Sequence, residues 1–88
     1  SNAMDMLGAY LTEPVNLTGC TVDEILYFVS NEHPVIAMKN ASEAVIILAY
    51  DTSSVTWYDP STGTKTKQSL NSAENYFKNA GYVFISYL

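Results

Sequence analysis

Few side chains in this sequence have the types needed for chemistry: one cysteine, Cys20, one histidine, His33, and the acids Glu43, Asp51 and Asp59 that flank its most strand-like runs. A thiol and an imidazole in contact would make a nucleophile–base pair. These two are thirteen residues apart, at either end of one helical pattern. At 1.5 Å per residue that is roughly 20 Å, too far for a dyad within one copy. Cys20 therefore reads as a small core residue before a helix, and His33 as a residue facing a helix C-terminus. No His, Cys and carboxylate grouping has metal-ligand spacing, and no glycine-rich phosphate loop is present, so no metal or cofactor is expected. Asp59-Pro60 reads first as a turn opener and Glu43 as a solvated loop acid. Trp57 and Tyr58 are the aromatic pair that could contribute to a peptide-binding surface, or pack in the core.

Composition narrows the partners. Four lysines, no arginine and nine carboxylates give a formal charge of −5. Nucleic-acid affinity comes mainly from cations that neutralise phosphates, and this chain has no basic stripe. No run approaches the roughly 18 apolar residues of a membrane span. The single cysteine precludes a disulfide within the chain and says nothing of compartment. Ser1-Asn2-Ala3 reads as the remnant of a cleaved tag, leaving residues 4–88 as one small domain. Its 48% hydrophobic content and seven tyrosines fit a folded chain.

The elements that must position these residues follow from periodicity. Leu7, Tyr10 and Leu11 suggest a short helix over Met4–Leu11, ended by Pro14. Thr21 and Glu24 form a capping-box pattern. Val22, Ile25, Leu26 and Val29 then fall at i, i+3, i+4 and i+7, a helix reaching about Asn31. "PVIAMK" from Pro34 reads as a buried strand. Ala44–Tyr50 is apolar without alternation, which predicts a central strand covered on both faces. Val55–Tyr58 is a third strand. "DPSTG" is a tight turn with Gly63 at positive φ. Thr64–Gln68, alternating with lysines, is an edge strand. Asn71 to Glu74 repeats the capping pattern before a helix with Ala73, Tyr76, Phe77 and Ala80 on one face and Gly81 closing it. "YVFISYL" ends the chain as a strand. The expected class is α+β: a mostly antiparallel sheet of about five strands with two or three helices.

The succession helix, "PVIAMK", "EAVIILAYD", "VTWYDP", "STG", helix, strand resembles the C-terminal half of the papain-like cysteine peptidases of the double-glycine-leader type, which process leader peptides in bacteriocin export. The resemblance runs from Leu17 to Tyr87. It implies a bacterial source, with export or the cell envelope open for a longer chain, and a catalytic histidine and acid at two positions. At the histidine's position stands Glu43; at the acid's, Asp59; Ala49 replaces a usual glycine. A glutamate carboxylate, ordinarily near pKa ~4.3, is too weak a base for a thiol of about 8.5. The family's nucleophile segment has no counterpart here.

The resemblance thus implies a non-catalytic binding or structural module with a peptide or protein partner. The alternative is the C-terminal part of a longer peptidase-like protein whose other half supplies the nucleophile. In the full family fold the Val22/Ile25/Val29 face would meet that other half. A bare patch of that kind would predict a symmetric homodimer, with exchange of N-terminal segments as one form of it.

Overall fold

The computed structural model describes residues 14–87. The helix expected over Met4–Leu11 lies outside the described residues. Eight elements follow in chain order: β1 (Pro14–Asn16), α1 (Val22–Ser30), β2 (Val35–Met38), β3 (Ala44–Tyr50), β4 (Ser54–Asp59), β5 (Thr64–Ser69), α2 (Leu70–Asn79) and β6 (Phe84–Tyr87). The strands form one antiparallel sheet in the order β1-β6-β2-β3-β4-β5. The described sheet has six strands where about five were expected. The added one, β1, is three residues long and begins with proline. Its strand character comes from pairing with β6, a long-range contact, and not from any local pattern.

Side-chain alternation sorts the sheet into two faces. One carries Val35, Ala37, Val45, Ile47, Val55, Trp57 and Phe84, which pack against Val22, Ile25 and Leu26 of α1 and Ala73 and Phe77 of α2. Both helices therefore lie on this face. The α1 stripe proposed above as bare surface is internal: Val22 and Ile25 are fully buried in the chain's own core and Val29 is half-buried. That face is not available to a second copy.

A second expectation also changes. β3 is central in strand order, yet it is not covered on both faces: Leu48, Ala49 and Tyr50 are exposed. Burial alternates over Ala44–Ile47, and the pairing with β4 then slips between Ile47 and Ala49, a bulge that leaves Leu48 as an extra residue. The strand buried along its whole length is β2.

Local chemistry sets the helix boundaries. Thr21 caps α1 in a complete capping box, its Oγ1 accepting from the Glu24 N–H while the Glu24 carboxylate accepts from the Thr21 N–H. For α2 the cap is Ser69, two residues before the expected Asn71, with Ser69 Oγ accepting from the Ser72 N–H. Glu74 is thereby free for another task, accepting from the Val22 N–H of α1 at 2.9 Å. Both helices close with the same paired bonds. Tyr82 and His33 donate back to Phe77 and Phe28 carbonyls, and Gly81 and Glu32 donate to Lys78 and Val29. In this left-handed closing position α2 has Gly81 at φ +89°, whereas α1 has Glu32 at φ +63°.

Candidate functional site

Glu43 and Asp59, the two positions that the resemblance singles out, lie with Lys39 at one end of the sheet, in the parity of its helix-covered face. Lys39 continues the parity of Val35 and Ala37; Glu43 precedes Val45 and Ile47 in the same parity; Asp59 follows Val55 and Trp57. The β2–β3 turn is closed by the Lys39 N–H donating to the Glu43 carbonyl. Asn40 Oδ1 accepts from the Ser42 and Glu43 N–H groups, and its amide donates to Glu43 Oε1. The β4–β5 turn is closed by the Gly63 N–H donating to the Asp59 carbonyl at 2.8 Å, with Gly63 at φ +69° as expected.

A lysine joins the two turns. Lys39 Nζ donates to Asp59 Oδ2 at 2.7 Å and to Ser61 Oγ at 2.9 Å, and lies 3.9 Å from Glu43 Oε2. Asp59 Oδ1 accepts from the Ser61 N–H and hydroxyl at 3.0 and 2.7 Å. The Lys39 and Asp59 side chains are only 14% and 12% exposed, whereas Glu43 is 45% exposed. The hydrogen bond from Lys39, then those from Ser61, hold the Asp59 carboxyl below its ordinary pKa. The same bond raises the Lys39 ammonium above its ordinary value, against partial burial.

This arrangement can bind charge and fix two turns, but it is poorly suited to hydrolysis. Both oxygens of Asp59 are engaged, leaving it badly placed to orient an imidazole. Lys39 and Ser61 have the contact of a serine–lysine nucleophile pair. Such a lysine must be neutral to accept the serine proton, and Asp59 stabilises the protonated form instead. Sequence alone does not single out Lys39. Its one signal is a cation ending the apolar run of β2, but its partner is twenty residues away, in a strand separated from β2 by β3.

The other candidates do not converge on this cluster. Cys20 is half-buried against the core at the start of α1. His33 lies past the end of that helix, its ring edge-on to Tyr87 with centroids 5.1 Å apart and its buried Nδ1 without a hydrogen-bond partner among the described residues. Trp57 is in the core, stacked on Tyr76 at 5.2 Å, while the adjacent Tyr58 points to the opposite face, so the two do not form one surface. Beside Asp59, a groove of about 240 Å³ runs between the β4–β5 hairpin and α2, lined by Trp57, Asp59, Thr66, Gln68, Ser72 and Tyr76. Among the described residues no group of three or more His, Cys, Asp or Glu could hold a metal ion, and no helix is long and apolar enough to cross a membrane.

No family model matches the chain, and no curated protein matches it. Among solved structures it is similar to a protein from Bacillus anthracis described as a C39-like peptidase, with a TM-score of 0.74 and 24% identity over 86% of this chain. The chain spans 51% of that protein's length. The likeness is one of fold: the antiparallel sheet and two helices described in this chain match about half of that protein.

Proposed function

We propose that this chain is a papain-like, C39-related half-domain that has no peptidase activity of its own and serves as a binding or structural module. The observation that carries this reading is Lys39. With Glu43 at the histidine-matching position and Asp59 at the acid-matching one, the carboxylate that would steady an imidazolium is instead neutralised by an ammonium 2.7 Å away. An ion pair between two turns preserves their geometry without a proton acceptor for a thiol. The test is mass-spectrometric: purified chain, present in amounts equal to a peptide pool that includes double-glycine sequences, yields no cleavage. Cleavage that disappears in Cys20→Ser would overturn the reading.

A second reading is favoured by the coverage of 51% of the similar protein. The chain is then the C-terminal part of a longer peptidase-like protein whose other half carries the nucleophile. The reading frame upstream of Met4 separates the two, since a cysteine-bearing helical segment there supports the longer form. Even in that form Glu43 and Lys39 leave the nucleophile without a base from this half.

A further inference from the structure

The two edges of the sheet are built differently. β1 is short and opens with Pro14, which has no N–H to offer, so that edge is a poor template. β5 is six residues long and pairs with β4 in an unbroken register from Ser54↔Ser69 to Asp59↔Thr64. It has no second neighbour among the described residues. Alternate backbone N–H and C=O groups along it therefore face outward without strand partners among the described residues.

Its side chains alternate in chemistry as well. Lys65 and Lys67, two of the four lysines in a chain of charge −5, share one face. Lys67 lies 3.4 Å from Asp51 Oδ2, and Lys65 has no ion-pair partner among the described residues. Thr66 and Gln68 share the other face and line the groove beside Tyr76, which is 38% exposed.

We propose that β5 is a docking edge for an extended segment of a partner protein in which acidic and apolar or aromatic residues alternate. The segment adds a seventh strand through main-chain hydrogen bonds. Its acidic residues lie beside Lys65 and Lys67, and its apolar residues turn to the mouth of the groove by Tyr76. Lysines on an edge ordinarily discourage pairing between like copies; the same charges select an acidic strand. The inference rests on the binding-module reading, but its failure would leave the absence of peptidase activity untouched.

The experiment is an amide-exchange and chemical-shift titration of the full chain with a capped octapeptide alternating glutamate and tyrosine. Protection and shifts should centre on residues 64–69. The double variant Lys65→Glu/Lys67→Glu, altered only at the surface, should weaken binding about tenfold at low salt, an effect that screening diminishes. N-methylating alternate peptide amides, which leaves the protein unchanged, should abolish binding in one of the two registers. Three results would overturn the proposal: no response at β5, equal binding of a peptide with lysine in place of glutamate, or β5 already paired with a second copy in the free protein.

Discussion

At the scale of single residues, Lys39 decides how the site behaves. Its ammonium and the Asp59 carboxylate each favour the charged form of the other, so two linked titrations bear on stability. Asp59 titrates lower in the folded chain than in the unfolded one, so its contribution is complete above the ordinary carboxylate range and is lost as pH falls through the depressed value. Lys39 titrates higher when folded, so its contribution is complete below the ordinary lysine value and is lost as pH rises through the raised one. Lys39→Met should lower the melting temperature at neutral pH. It should also move the acid transition to higher pH, because Asp59 then keeps only the Ser61 donors. Melting curves from pH 3 to 11 check this; an unchanged acid limb would mean that Ser61 alone holds the carboxylate. Glu43 and Asp59 stand out in the sequence through the resemblance; read by themselves they are a solvated loop acid and a turn opener. The cation does not stand out, because its role depends on strand order, and local sequence does not encode which strand lies beside which.

At the scale of elements, the two helices end by the same hydrogen-bond pattern but with different residues in the left-handed position. Gly81 adopts φ +89° without the Cβ contact that makes this region costly. Glu32 adopts φ +63° with a full side chain, a conformation that costs about 1–2 kcal/mol for most residues. Replacing it with glycine relieves that cost but makes the unfolded chain freer, so Glu32→Gly should stabilise the domain by a net ~0.5–1 kcal/mol. That corresponds to a rise in melting temperature of roughly 3–6 °C for a domain of this size, measured by calorimetry. No gain would mean that Glu32 makes a compensating interaction in the folded state. The Gly81 stop was readable from sequence because glycine marks it, and the Glu32 stop was not. The capping box of α1 was legible since Thr21 and Glu24 are neighbours on one turn. The cap of α2 was misplaced because Ser69, Asn71 and Ser72 are all competent caps, and packing of Leu70 against the core places the helix start at the first of them.

At the scale of the whole molecule, the chain closes on itself: the last strand, β6, inserts between β1 and β2, pairing residues near 14 with residues near 87. A strand in that position supplies core as well as closure, and Phe84 and Ser86 are both fully buried. Phe84 meets Phe77 of α2 at 5.8 Å, and Phe77 also meets Trp57 of β4 at 5.1 Å. Phe77 is thus the side chain through which the C-terminal strand, the second helix and the strand carrying Asp59 share one core. Small domains have little stability to spare, about 0.05–0.15 kcal/mol per residue. Truncating a buried phenylalanine costs about 3–5 kcal/mol in lost transfer energy and residual cavity. Phe77→Ala should therefore remove a large share of the domain's stability and lower its melting temperature steeply, with the near-ultraviolet signal of the Trp57–Tyr76 stack lost in the same transition as the helical signal. Phe77→Leu, which keeps most of the volume, should retain a cooperative urea transition at a lower midpoint. If Phe77→Ala instead lost the aromatic signal while its secondary structure still melted cooperatively, the α2 corner would be a separable unit. The β4–β5 hairpin that carries Asp59 would then owe its geometry to the sheet alone.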